Sequence, residues 1–589
     1  MPVATRSRGS SILTSGVASG FAAVLLAVLA APNCGGNGEG RPPDPAVPAA
    51  ASTPAKAPRA TFDLVVFGRV LGTIAPCGCT TEPLGGLQYA FGWLDANTSA
   101  GARLVVEPGS FLYPDPKGPF APPDAAGWAQ AESRAALLTS RFAGLGAELV
   151  SGVGPLDAVA PAGVAALGTH ALPRVAANLT PVSGVTTAKH RVVELRSGGV
   201  TWTLGVTSVI DPALPGADVL GTVAPAADAL RTELAAMDAA GTAHQIVIAH
   251  GTRTFAESLA AEVPGIEVMV VGIVDGTERQ RVGQPAVQLG GTWLLEPGEQ
   301  LQTVSRLRLS IDGTATAVPQ TDAWTIAPSA QELDRELARV DERLAKFKAD
   351  PTADPTFLAR LEAERTRVLA ASETEAEGPA VATLEQVKIT CKLPVDTGAK
   401  QQLVEYDRSV AVANRERFAG KKPPPPAKGK AGYAGIEACN DCHEEAVDFW
   451  KTTVHALAWK TLVDDAKDLD LSCVGCHLTG YRKPGGSEVV ENIGLRDVQC
   501  EVCHGPGSLH VADGGTDTGL VELTTTADLC AGECHTAEHS DTFDYVPYLR
   551  DVLGKGHGEA ARAKLGDGAT GAQLRAAGLA KAGGACKKM

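Results

Sequence analysis

The chain has 589 residues, 44% of them hydrophobic and 20% charged, with a formal net charge of −15. That length allows two or three domains, and the acidic balance argues against nucleic acid as a partner. The N-terminus reads as an export signal: Arg6 and Arg8 precede an apolar core from Phe21 to Ala31, too short to span a bilayer. Residues 1–34 are therefore assigned to export and 35–60, rich in Pro, Ala and Gly, to a tether.

From Phe62 onward, short apolar runs alternate with helix-length stretches. Leu64–Phe67, Leu104–Val106, Glu148–Val150, Gln245–Ala249 and Val268–Val271 read as buried strands, and the Ala-rich segments 124–144 and 225–240 as helices. That alternation predicts an α/β layered domain over 61–325, with added antiparallel strands at Ala286–Leu289 and Ser305–Leu309. Leu333, Leu337, Val340, Leu344 and Phe347 recur at helical spacing, and Leu358, Leu361 and Val368 resume it after Pro351 and Pro355. Residues 326–375 are thus expected to form a helical hairpin. Residues 376–432, ending near the Lys421-Lys422-Pro423 to Pro426 run, read as a linker, 433–560 as a mainly α domain poor in apolar runs, and 561–589 as a tail.

That last domain carries the most informative residues: Cys439-Cys442-His443, Cys473-Cys476-His477, Cys500-Cys503-His504 and Cys530-Cys534-His535. The first three fit C-x-x-C-H, the attachment signal for c-type haem, in which two thiols bond the vinyl groups and the histidine becomes the proximal iron ligand. The fourth has one extra residue, which a bulged loop accommodates. A zinc ribbon rarely needs a histidine after every second cysteine, and disulfides would leave the repeated histidines unexplained. The expected cofactor is haem c, four copies, or three if the fourth motif is not used. Porphyrins then fill the core in place of apolar side chains.

Apart from Met589 no methionine lies in this region, which excludes Met-His ligation. His455, His510, His539 and His557 remain as distal candidates, giving four bis-His irons or three plus one open face. Bis-His iron passes electrons and cannot bind substrate, whereas an open face can bind a small ligand. From Tyr433 to Asp551 there are 22 Asp and Glu against 7 Lys and Arg, so a redox partner would present a basic docking face; a merely solvated acidic surface is the alternative.

The stretches Trp450–Ala456, Cys473–Tyr481 and Val498–His510 resemble the multihaem cytochrome c-554/c-prime family over roughly 435–560. The resemblance implies closely placed haems, with His455, His510 and His557 as distal ligands and one five-coordinate haem, for which the Cys473–His477 site is the candidate. Trp450, Trp459 and Tyr481 are expected to pack on haem, and His539 to stand aside. Cys34, followed by Gly-Gly-Asn-Gly, resembles the lipidated cysteine of bacterial lipoproteins and would tether the protein to a membrane, although Ala31-Pro32-Asn33 departs from the usual lipobox. A plain cleaved signal is the alternative. Either way the protein is expected in the periplasm or cell envelope.

Ala75-Pro76-Cys77-Gly78-Cys79, followed by Pro83–Leu87, resembles a subgroup of 5'-nucleotidase-like metallophosphoesterases, whose fold is a layered sandwich holding two metal ions. This chain departs where the metal ligands belong. Arg69 and Leu71 stand for the first Asp-x-His, Gly109-Ser110 for Gly-Asp, Gly152–Pro155 for Gly-Asn-His-Glu, and Gly272–Asp275 for Gly-His-x-His; His250-Gly251 survives. Phosphoesterase activity is therefore not expected, and no catalytic residue is assigned. Cys77 and Cys79 are metal ligands or disulfide partners of Cys391 or Cys586. The expected function is electron transfer through mostly bis-His haems; the alternative is an oxidoreductase acting on a small nitrogen species at a five-coordinate haem.

Overall fold

The computed structural model describes residues 59–589, apart from 77–79, 119–121, 123, 275–282, 351, 374–375, 537–538, 585 and 587–589. The export signal, Cys34, Cys77, Cys79 and Asp275 lie outside the described residues.

The described strands are β1 (Ala60–Phe67), β2 (Arg103–Glu107), β3 (Leu149–Ser151), β4 (Leu179–Pro181), β5 (His190–Ser197), β6 (Val200–Ile210) and β7 (Gly221–Val223). They continue with β8 (His244–His250), β9 (Val268–Val271), β10 (Gly283–Leu289), β11 (Thr292–Pro297), β12 (Thr303–Ile311), β13 (Trp324–Pro328) and β14 (Ala380–Lys388). Two mixed six-stranded sheets result, ordered β13-β14-β12-β1-β2-β3 and β10-β11-β9-β8-β6-β5, beside a small β4-β7 pair.

Burial explains both the layers and the sequence pattern. On β1, Phe62, Leu64 and Val66 face the second sheet and pack with Trp202, Leu204, Val206, Ile246 and Ile248. Val65 and Phe67 face the other way, under the helices Leu87–Asn97, Ala125–Ala143 and Thr397–Phe418. A strand covered on both faces reads as a continuous apolar run, as β1 does. The outer face of the second sheet is covered by the helices Ala226–Ala239 and Arg253–Glu262 through Leu230, Leu234 and Leu259. The order is helix, sheet, sheet, helix, a layered α/β sandwich.

The helices Ala330–Lys348 and Pro355–Glu373 form a hairpin inserted between β13 and β14, closed by Val340, Leu344 and Leu361. The segment expected as a linker is not one. β14 pairs with β12 from Thr303↔Lys388 to Ile311↔Ala380, and a 22-residue helix, Thr397–Phe418, packs on the first sheet. β14 is half-buried and carries Thr383, Glu385 and Gln386, so neither period stands out. The helix buries Ala399, Leu403, Tyr406 and Val410 at helical spacing, a stripe with few strongly apolar members. The proline run lies in an irregular stretch, 421–435. The tail likewise holds helices Glu559–Lys564 and Gly571–Lys581, and a disulfide joins Cys391 to Cys586. Spacing alone cannot assign such a pairing.

The mainly α segment is built of short helices, among them Ile436–Asn440, Glu444–Trp450, Ala458–Asp464, Cys500–His504, Ser508–Ala512, Ala527–Glu533 and Tyr545–Val552. Among the described residues no helix is long and apolar enough to cross a membrane.

Phe142 is the pivot of the helical layer, meeting Phe67, Phe91 and Phe111 edge-to-face at 5.5, 5.2 and 4.9 Å between ring centroids. Phe142→Ala is expected to lower the unfolding free energy by about 3–5 kcal/mol. Urea denaturation followed by circular dichroism checks it.

Candidate haem centre

C-x-x-C-H places its two cysteines at i and i+3 and its histidine at i+4, which share one side of a helical turn. The third motif is such a turn, the helix Cys500–His504, ended by Gly505 at φ +78°. In the first, the His443 amide donates to Cys439 O at 2.9 Å. The second is a 3-10 turn, Val474–His477. The fourth absorbs its extra residue: both the Cys534 amide (3.2 Å) and the His535 amide (2.8 Å) donate to Cys530 O.

Folding brings the histidines together in pairs. Ring centroids lie 6.4 Å apart for His443 and His510, 6.3 Å for His455 and His535, and 5.9 Å for His504 and His557. An imidazole nitrogen binds a first-row metal at about 2.0–2.1 Å, so rings at these separations would both be within reach of one metal ion. His477 lies instead against Ala458 O and the Thr461 hydroxyl. His539 turns its Nδ1 to the Thr536 hydroxyl at 2.8 Å.

The second ring nitrogen is also accounted for. Nδ1 donates to Ala458 O from His477, to Glu522 O from His504, to Asp517 O from His510 (3.1 Å) and to Val552 O from His557 (2.7 Å). His535 Nδ1 lies 3.0 Å from the Ser540 hydroxyl. A proton fixed on Nδ1 leaves Nε2 as a lone-pair donor, the tautomer a metal-bound histidine needs. Burial, then the neighbouring His455, pushes His535 down to about 4. The donor set fits a c-type haem: paired thiols one turn apart, beside imidazoles brought together in pairs.

Two approaches cross between motifs: the Cys439 and Cys500 side chains lie beside each other, and so do those of Cys476 and Cys534. Sequence reading missed Glu501, inside the third motif. Its buried carboxylate accepts the amides of Ala434 and Gly435, both at 2.8 Å, and Gly507 at 2.7 Å, tying the first and third motifs together. A buried acid in the x position was the available signal. Trp450 Nε1 donates to Val498 O at 2.8 Å, and Trp459 is buried beneath the Arg496 guanidinium.

At the C-terminal ends of β1, β2, β3 and β8, where an α/β sheet places its chemistry, the layered domain presents a different set. Arg69 Nε donates to Glu299 at 2.7 Å. The Asp157 carboxylate accepts the amides of Ser110, Phe111, Leu112 and Gly154. His250 Nδ1 donates to Pro108 O at 2.8 Å, leaving Nε2, 3.3 Å away, to accept from the Ser110 hydroxyl. Burial, then Arg69, pushes His250 down to about 4. Among the described residues no three His, Cys, Asp or Glu side chains gather to hold a metal ion. Leu71, Ser110, Gln300 and Leu301 keep left-handed φ values of 53–60° around this site, a strain typical of functional loops.

Residues 438–505 match the family of cytochrome c554 and c-prime. Cytochrome c-554 of Nitrosomonas europaea is 37% identical over 93 residues, covering 13% of this chain and 40% of that protein. The chain thus spans less than half the length of this curated relative. Solved structures similar to the chain include the 5'-nucleotidase precursor of Thermus thermophilus (14% identity, TM-score 0.36, 64% of this chain and 63% of that one). NAD nucleotidase of Haemophilus influenzae is another, at 12% identity and TM-score 0.38, with 73% of each chain covered.

Glu107 generates a prediction. Burial, then the Asp157 charge, pushes its carboxyl from 4.5 up to about 8. The hydrogen bonds agree: the Ser151 hydroxyl lies 2.7 Å from Glu107 Oε2 and 3.0 Å from Gly152 O, and its single proton serves one of them. A protonated Glu107 supplies the other. Between these two pKa values the native state holds a proton that the unfolded state releases. The associated stability is thus complete below pH 4.5 and lost as pH rises through about 8, on the order of 5 kcal/mol in all. Glu107→Gln is expected to match wild type at pH 5 and exceed it at about pH 9 in urea unfolding. Parallel pH profiles would show that Glu107 is ionised in the native protein.

Proposed function

We propose that this protein is an exported c-type cytochrome that carries electrons through four haems, three of them held between two histidines. The imidazole pairs carry this reading: His443 with His510, His455 with His535, and His504 with His557, with ring centroids 5.9–6.4 Å apart. Haem, when bound, supplies a one-electron iron couple. The residues do the rest. Cys439, Cys442, Cys473, Cys476, Cys500, Cys503, Cys530 and Cys534 would anchor it covalently. His443, His477, His504 and His535 would be the proximal ligands, and His455, His510 and His557 the distal ones. Backbone carbonyls on Nδ1 hold His477, His504, His510 and His557 in orientation and raise their basicity. The Cys439–Cys500 and Cys476–Cys534 contacts bring attachment points of different motifs together, which favours transfer between neighbours. Export, a basic redox partner and a lipid on Cys34 belong to the same reading.

A second reading, small-ligand chemistry at the His477 site, rests on one observation: among the described residues the imidazole pairs are His443 with His510, His455 with His535 and His504 with His557, and none includes His477. The visible spectrum of the reduced protein, with and without carbon monoxide, tests both readings. The expected result is covalent haem, with about a quarter of the absorbance shifted by carbon monoxide. Absence of covalent haem from a competent host overturns the first reading. A spectrum wholly insensitive to carbon monoxide overturns the second and leaves a carrier.

A further inference from the structure

The second motif is mounted differently from the others. The four residues before Cys473 are gripped by side chains of the layered domain. Gln130, on the helix Ala125–Ala143, is buried, donates to Asp470 and accepts the Leu471 amide at 3.1 Å. Asn414, buried on the helix Thr397–Phe418, donates to Gln130 Oε1 at 3.1 Å and to Leu469 O at 2.8 Å. Arg134 Nη1 donates to the Ser472 hydroxyl at 2.9 Å. On the far side of the motif Arg482 pairs with Asp124 at 2.8 Å, the N-cap of the same helix that carries Gln130. Apolar packing follows the same line: Ala126 and Phe418 close over Trp459, Leu462, Leu469 and Val474.

The grip passes directly into the motif. Asp470 O accepts the amides of Cys473 (2.9 Å) and Val474 (3.1 Å), and its side chain accepts the Ser472 amide at 2.9 Å. Asp470 is therefore the hinge pin of the turn on which Cys473 sits. The first motif, by contrast, is mounted from within its own segment, with Glu501 on the Ala434 and Gly435 amides and Gln499 on the Ile436 amide.

We propose that Gln130, Asn414 and Arg134 are positioning residues: the layered domain clamps residues 469–472 and thereby fixes the Cys473–His477 haem site. This assignment rests on the reading of that motif as a haem site. Gln130, Asn414 and Asp470 are buried and satisfied by one another and by the backbone, and such paired groups suit the task because another arrangement would leave a buried orphan. The layered domain thus serves the haem domain as a scaffold for one particular site.

The test uses the full chain. Gln130→Glu sets two carboxylates against each other, and Gln130→Glu with Asp470→Asn restores a donor and an acceptor. Gln130→Glu is expected to speed amide hydrogen exchange over 469–476 about tenfold or more and to shift the midpoint potential of one haem, with the others unmoved. The double variant is expected to return both readouts to wild type. Ser472→Ala, at an exposed position, is a milder probe that survives if Gln130→Glu does not fold; about a two- to threefold faster exchange in the same segment is expected. Unchanged exchange over 469–476, a common shift of all haems, or failure of the double variant to restore the segment overturns the proposal. Exchange is read without reference to haem. Wild-type protein lacking covalent haem would sink the functional reading, while 469–476 would still decide the clamp.

Discussion

A folded segment needs a core, and the haem-bearing third of this chain has little apolar core of its own. Among its described residues the buried apolar cluster is completed by Ala126 and Phe418 of the layered domain. Short helices of five to eight residues cannot stand alone in water. Their order must come from elsewhere: side-chain caps such as Glu501, and contact with the layered domain. That dependence explains why polar clamps, which contribute little where a large apolar core exists, carry so much of the organisation here.

The layered domain can serve as support because the strand ends around Arg69, Asp157 and His250 leave few polar groups stranded. Asp157 turns inward onto four amides, and Arg69 brings its own positive charge to Glu299. His250 is neutral and hydrogen-bonded at both nitrogens. A dinuclear site would need several anionic or imidazole ligands aimed at one point, whereas here each polar group is turned to a backbone or side-chain partner. The left-handed residues around it persist because the surrounding packing over-determines them.

The legibility of the sequence follows the same physics. Strands buried on both faces, such as β1, β8 and β9, announce themselves as apolar runs. Amphipathic helices such as Ala330–Lys348 show their period. The haem motifs are legible because covalent attachment demands fixed residue types at fixed spacing. β14 and the helix Thr397–Phe418 were hidden in an expected linker, since a half-buried edge and a thin stripe give weak periodicity. The long-range bonds were hidden for a stronger reason. Nothing local in Gln130, Asn414 or Asp470 distinguishes them from solvated polar residues; their roles exist only once residues 340 positions apart in sequence meet. Cys391 and Cys586 were visible as cysteines and not as a pair.

One consequence joins the two halves. The helix Thr397–Phe418 packs Leu403, Tyr406 and Val410 into the layered domain and carries Asp407, Asn414 and Phe418 to the haem side. It belongs to both cores, and Asp396, its N-cap, is paired with Arg141 of the helix that bears Gln130 and Arg134. The two helices that grip the second motif are thus fixed to each other before they reach it. A clamp whose jaws are locked together transmits position, because neither jaw can yield without breaking the Arg141–Asp396 pair or the apolar layer beneath it. The layered domain therefore provides the haem segment with rigidity, the one property its short helices lack.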